Sequence, residues 1–481
     1  MCKFKKFIAA WTAVVIFTCG LITPETASSL TIREEKELSA EFLEAIFEAY
    51  DVIKDPVIND YINKVGQKLI SAMPPQPFAY KFYAVRQDAY NAFAGPGGNI
   101  FIFSGLFCAL ENENELAALI SHEIAHVACR HISEMMKKSK KTNFATMAGV
   151  IAGILIGLGG AASVGSALTI GSMAAGQSMA LAYSRENEMQ ADQIGRTYLQ
   201  KAGYNLNGLL SLLKKLQAVD WFDGEIPTYL KTHPATEERI MYLDNLLENK
   251  EPPPAGKNYA FERAHTRMVA LYGDPDTALL FFKGRVEDNP DNSMTQYGYG
   301  LILARKGNPK AAIDHLIIAS QKNPGDPGIE IDLGIAHFMA GEYLEALNIL
   351  EKTSKSSSNV EIGHIFIGRS QMALSRYKQA ADTFKAIIKD DPDNVDVYFY
   401  LGETEGKLNR LASAHYNLGQ YYVKNKNLQN AKFHLNKALE HEKNPKKIET
   451  IKQLLKNLDP PTHFWGIGEE KKTEGKNSGE E

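Results

Sequence analysis

Cysteine is scarce in this chain, with four residues in 481. That is too few for a disulfide scaffold, and the clustered C-x-x-C pairs of a zinc ribbon are absent. A surplus of positive charge is also missing. Lys+Arg number 53 against 57 Asp+Glu, for a net charge of −4. A general nucleic-acid binder carries a basic excess, so no nucleic-acid partner is expected. Mean hydropathy is −0.25, which excludes a protein that crosses a membrane many times. The compositional bias of a disordered chain is lacking as well, since 44% of residues are hydrophobic and 23% charged. A chain this long exceeds one ordinary core, so at least two folded domains are expected.

The one strongly apolar terminal run is at the start. Lys3, Lys5 and Lys6 precede an uncharged stretch from Phe7 to Thr23, followed by small residues at Thr26 to Ser29. This is the pattern of a secretory leader over residues 1–28 and implies export to the periplasm. Cys19 follows Ile16-Phe17-Thr18, which departs from a lipoprotein cleavage box. Beyond the leader only Cys108 and Cys129 remain. The sequence is compatible with a pair and with two buried thiols.

Apolar residues recur at helical spacing from Ile32 to Tyr50 and from Pro56 to Ala72, as in Ile58, Ile62, Val65 and Leu69. Tyr80–Arg86 and Ile100–Ser104 read as short strands, with the glycines and proline of 91–99 marking a turn between them. A single helix is expected over Glu111–Lys138, and another over Arg185–Ala202, capped by Ser184 and ended by Gly203. Thr142–Ser184 contains no charged residue. Its apolar halves, within 144–183, are each shorter than the ~20 residues of a membrane span. They read as a glycine-spaced helix pair that packs internally or touches lipid. The prolines of 251–257 mark a linker.

After the linker the chain repeats. Gly300, Gly334, Gly368 and Gly402 are spaced by 34, as are Ala278, Ala312, Ala346, Ala380 and Ala414. Pro290, Pro324 and Pro392 fall on the same lattice. Small residues at this period let paired antiparallel helices approach closely, and the period is that of a tetratricopeptide repeat. A second frame begins at Leu418-Gly419, so the array is expected to end in an offset or fused repeat. An all-α solenoid is therefore expected over 258–455, and a disordered polar tail over 460–481.

Ser121-His122-Glu123-Ile124-Ala125-His126 contains H-E-x-x-H within an apolar helix. Residues four apart share a helical face, so both imidazoles can meet one metal ion. Zinc suits nitrogen and oxygen ligands in a tetrahedron, and Glu123 is placed to work as a base beside it. His131 lies nine residues from His122, about 180° around a continuous helix, and is not expected as a ligand. Glu188 and Asp192, four apart after Ser184-Arg185, offer an oxygen ligand and a partner for the second nitrogen of a bound histidine. The same spacing also fits two carboxylates on a solvated face.

H-E-x-x-H followed about sixty residues later by S-R-x-x-E-x-x-A-D resembles the M48 family of zinc metallopeptidases. Asn91-Ala92-Phe93-Ala94 with Pro96-Gly97-Gly98, and Thr232-His233-Pro234 with Arg239-Ile240, resemble two further segments of that family. The resemblance implies an α+β zincin-type domain over 30–250, followed by the repeats. It implies one zinc ion per chain held by His122, His126 and Glu188, with Glu123 as general base and Asp192 behind the ligands. It implies that Asn91, Ala92, Phe93 and Ala94 form the strand along which an extended substrate lies. His233 then caps the zinc or is a structural residue of a turn, and His233 and Arg239 are both candidate oxyanion donors. The implied work is envelope protein quality control or outer-membrane protein assembly. Protein substrates would be unfolded or assembling envelope chains, recruited by the repeats or through an assembly machinery. The competing expectation is a periplasmic chaperone or adaptor in which the repeats do the work.

Overall fold

The computed structural model describes residues 30–138, 183–223, 226–246, 258–356 and 361–458. The leader, most of the apolar segment 144–183, the proline linker 251–257 and the tail 460–481 lie outside the described residues. Among the described residues no helix is long and apolar enough to cross a membrane. The chain divides into two compact units, one up to Pro324 and one from Gly325.

The first unit opens with α1 (Ile32–Ala49) and α2 (Pro56–Ile70). Thr31 caps α1 in a reciprocal box with Glu34, and Asp55 caps α2 ahead of Pro56 in the first turn. A three-stranded sheet follows: β1 (Lys81–Val85), β2 (Ala92–Gly95) and β3 (Asn99–Phe103), in the order β1-β3-β2. β3 is central and buried along its whole length, parallel to β1 and antiparallel to β2. Ala92–Gly95, inside the stretch 91–99 whose glycines and proline read as a turn, is thus an edge strand. Gly97 and Gly98, at φ 73° and 91°, supply the tight return to β3 that residues with a Cβ adopt rarely.

α3 (Ser104–Ala109) leads to α4 (Glu113–Ala128), which Asn112 caps. α4 is buried on every side from Glu115 to Val127, as befits a helix through the centre of a domain. The expected single helix over 111–138 is not formed. Arg130 turns left-handed at φ 59°, and a separate α5 (His131–Lys138) follows. α6 (Arg185–Lys201) packs along α4, capped by Ser184 as expected. The contact is close because Gly195 has no side chain. A Cβ there would lie 3.1 Å from the Ser121 carbonyl, and Ser121 Oγ donates to the Gly195 carbonyl at 2.7 Å. α7 (Asn207–Asp223), α8 (Thr228–Thr232) and α9 (Glu237–Leu246) complete the part before the proline linker.

The first unit continues past the proline linker through α10 (Tyr259–Arg267), α11 (Pro275–Asp288), α12 (Ser293–Arg305) and α13 (Pro309–Lys322). Arg267 of α10 donates to Asp55 at 3.0 Å, and both side chains are buried. Asp55 therefore caps α2 and anchors the first repeat helices at once.

The second unit is α14 (Pro327–Met339), α15 (Tyr343–Ser356), α16 (Glu361–Ala373), α17 (Tyr377–Asp390), α18 (Val395–Lys407), α19 (Leu411–Lys424), α20 (Leu428–His441) and α21 (Pro445–Leu458). The glycine lattice is a packing lattice. A Cβ on Gly334, Gly368 or Gly402 would lie 2.5–2.7 Å from Leu350, Phe384 or Leu418 of the following helix. Gly419 meets Leu435 in the same way, so α19 serves both its own repeat and the next. Of the two endings that the second frame allows, offset or fused, this packing is the fused one.

Candidate metal centre

α4 sets His122 and His126 one turn apart, and α6 brings Glu188 to the same point. His233, at the C-terminal cap of α8, completes the group. Each of the four offers a ligand atom within 4.8 Å of the others, and all four are buried. His122 Nε2 is 3.0 Å from His126 Nε2 and 3.3 Å from His233 Nδ1. Glu188 Oε1 is 3.4 Å from His126 Nε2 and 2.9 Å from His233 Nδ1. Nitrogen and oxygen ligands at 2.0–2.1 Å from a tetrahedral zinc ion stand about 3.3 Å apart. Four edges of the cluster therefore match the tetrahedron that zinc requires.

The charges agree with the distances. Among the described residues Glu123, Glu188 and Asp192 face one guanidinium, that of Arg239, and all four are at most 4% exposed. Counting the imidazoles as the neutral donors a metal needs, three carboxylates against one guanidinium leave two formal negative charges buried, which a divalent cation neutralises. Burial alone would depress the His122 imidazole, but the Glu188 and Asp192 carboxylates outweigh it and push it up to about 9. Burial holds His126 well below its ordinary value. Burial would raise Glu188, yet His233, Arg239 and His122 hold it well below the usual carboxylate range.

Asp192 Oδ1 lies 2.9 Å from His122 Nδ1, though off the line of a full hydrogen bond. Arg239 was a candidate oxyanion donor by resemblance. Here its guanidinium grips Asp192 through Nε and Nη2, both at 2.8 Å, and reaches Glu188 Oε2 at 2.5 Å through Nη1. It is engaged in holding the two α6 carboxylates in place.

His131 is not in the ligand group among the described residues, but for a different reason from the one expected. The left-handed Arg130 folds the chain back, and His131 Nδ1 comes 3.0 Å from His126 Nδ1. His131 Nε2 donates to Gln190 Oε1 at 3.0 Å. A carboxamide oxygen only accepts, so His131 Nδ1 is left to accept from His126 Nδ1–H. That tautomer turns the His126 Nε2 lone pair into the cluster. His131→Ala should therefore weaken metal affinity by about 10–100-fold. Competition with a chromophoric chelator measures this, and an unchanged affinity would refute the relay.

Two tyrosines complete the walls, and no motif announced either. Tyr229 is fully buried and donates to Glu123 Oε1 at 3.2 Å, while its ring stacks on His233 at 4.5 Å. Tyr183 lies 3.9 Å from the His126 ring, centroid to centroid. Glu123 Oε2 and His233 Nε2 are buried without a hydrogen-bond partner. The Tyr229 N–H donates to the Tyr90 carbonyl at 2.8 Å, tying α8 to the residue before Asn91 and the edge strand Ala92–Gly95. Asn91 is itself buried, with both carboxamide atoms lacking a hydrogen-bond partner. Cys108 and Cys129 are free thiols.

Comparisons with known proteins agree with this geometry. Residues 56–247 match the family model Peptidase family M48, and residues 367–414 and 412–445 match tetratricopeptide repeat models. The chain is 25% identical over 430 residues to the beta-barrel assembly-enhancing protease of Escherichia coli, covering 78% of this chain and 87% of that one. To the beta-barrel assembly-enhancing protease of Yersinia pestis it is 29% identical over 258 residues, covering 54% and 53%. It is 30% identical over 188 residues to the metalloprotease YcaL of Escherichia coli, covering 39% of this chain and 69% of that one. The chain thus belongs to the M48 family of metallopeptidases, with tetratricopeptide repeats after the peptidase domain.

Proposed function

We propose that this chain is an exported zinc endopeptidase acting on unfolded or assembling proteins of the cell envelope. His122, His126 and Glu188 hold the ion, and Glu123 is the general base. The observation that carries this reading is the set of four ligand-atom separations between 2.9 and 3.4 Å at a buried, net-negative point. A bound zinc ion supplies Lewis acidity, which acidifies water and polarises a peptide carbonyl.

The protein side chains supply the rest. Glu123 takes the proton of the attacking water and returns it to the leaving amine. Tyr229 holds Oε1 of Glu123 and leaves Oε2 free to face that proton. Arg239 and Asp192 keep His122 and Glu188 in register. His233 fills the fourth corner in this arrangement, so it serves as the cap of a resting site and must swing aside to admit water. The edge strand Ala92–Gly95 offers main-chain pairing to an extended substrate with little demand on its sequence.

Export rests on the basic-apolar leader at 1–28, and the envelope role on the likeness to the beta-barrel assembly-enhancing protease. A pure chaperone or adaptor has no use for a fully buried Glu123 beside four convergent ligands. Dialysis against a chelator should abolish degradation of unfolded casein, and one equivalent of zinc per chain should restore it. Degradation that survives metal removal would contradict the reading.

A further inference from the structure

Three imidazoles meet in the second unit where α19 is shared between two repeats. His415 stands on α19, and His434 and His441 stand on α20. His415 Nδ1 lies 3.0 Å from His434 Nδ1. The His441 ring is parallel to the His415 ring, with centroids 6.3 Å apart. His434 and His441 are seven residues apart, so they share a face of α20, two turns or about 10.5 Å along its axis. His415 reaches both of them from the neighbouring helix.

The fold makes little other use of these rings. Among the described residues none of the three pairs with a carboxylate, and the meeting of the two Nδ1 atoms is their one polar contact. Glu440, next to His441 in the chain, is taken by Lys437 at 2.8 Å. Burial, His441 and Lys437 hold His415 below its ordinary value, and burial and His415 do the same to His434. Both rings are then neutral at neutral pH, the form that binds a metal. Tyr422 stacks on His434 at 5.3 Å and fixes the plane of its ring. His415 and His434 are half-buried, whereas His441 is exposed and has room to turn. The separation decides the reading. At the metal centre His122 and His126 stand 3.0 Å apart, nitrogen to nitrogen, and His415 and His434 repeat that edge.

We propose that His415, His434 and His441 form a second zinc site, independent of the metal centre, that clamps α19 to α20. His415 and His434 supply a preformed edge of the tetrahedron. His441 turns in as the third imidazole and leaves the fourth position to water. Three imidazoles without a thiolate are a donor set that zinc accepts. This site is the weaker of the two, because it has no carboxylate, opens to solvent and has the Lys437 ammonium nearby. It therefore fills only after the metal centre, and one equivalent of zinc leaves it empty. Its effect is on the array. Gly419 of α19 already packs against Leu435 of α20, and an ion across the same two helices stiffens the fused end.

The test is calorimetric titration of zinc into metal-free full-length protein. Two steps of one ion each are expected, the second weaker, and the second should raise the melting temperature further. His434→Gln should remove the second step while leaving the first step, and casein turnover at one equivalent of zinc, unchanged. Glu188→Gln should do the reverse, weakening the first step and sparing the second. His441→Asn should weaken the second step by at least the about 10–100-fold that loss of an outer partner costs. A single step in the unsubstituted protein would overturn the proposal without any variant. So would a second step that survives His434→Gln, one that His441→Asn does not move, or one that magnesium, which prefers oxygen ligands, fills equally well.

Discussion

Glu123→Gln should cut peptide hydrolysis by about 10²–10⁴-fold while zinc stays bound. The carboxylate is fully buried and stands one residue along α4 from His122. It is outside the convergent ligand group and only 3.6 Å from His233 Nε2. Glutamine keeps the volume and can still accept from Tyr229 through its oxygen, so the wall of the site survives. What is lost is basicity, because a carboxamide takes no proton from water at neutral pH. Casein turnover and zinc content should be measured on the same preparation. Loss of both together would mean that Glu123 is structural. Retention of full turnover would remove it from the mechanism.

Glu188→Gln should have an effect of similar size by a different route. Glu188 supplies the single oxygen among the four convergent ligands and also takes Arg239 Nη1. Replacing it leaves a neutral, weaker donor where a carboxylate stood. Zinc affinity should fall by more than the about 10–100-fold expected for an outer partner such as His131. Turnover should fall with occupancy. The stability readout separates this from general damage. A ligand present at a thousandfold excess over its Kd adds about 4 kcal/mol to the folded state. In a domain of this size that is worth about 2–4 °C in Tm for each kcal/mol. The wild-type melting curve should therefore shift down on adding chelator, while the Glu188→Gln curve should not move. A chelator shift of equal size in both would place the ion elsewhere.

The legible part of the site was the part built on regular helical geometry. His122 and His126 announce themselves because their spacing puts both on one face of α4. Ser184 is recognisable as a cap, and Glu188 follows at a fixed offset inside α6. Gly334, Gly368 and Gly402 are recognisable because close helix packing recurs at one period. The illegible part depends on breaks and on long-range meetings. Arg130 carries a left-handed turn with neither glycine nor asparagine to mark it, so His131 was placed on the wrong side of a helix that ends earlier. Tyr229 and Tyr183 reach the site from segments more than fifty residues from α4 and carry no spacing signal. Arg239 was visible as a site residue, but its engagement with both α6 carboxylates is a property of tertiary packing. The same holds for Arg267 and Asp55, 212 positions apart, whose ion pair carries the first compact unit past the proline linker.

The proposed function requires one zinc ion among three imidazoles and a carboxylate at the meeting of α4, α6 and α8. X-ray absorption at the zinc edge of purified full-length protein tests it directly. Nitrogen and oxygen neighbours at about 2.0–2.1 Å are expected, with imidazole scattering from three rings, reduced to two by His233→Ala. A shell of sulfur at about 2.3 Å, imidazole scattering unchanged by His233→Ala, or protein that holds no zinc after remetallation would contradict it.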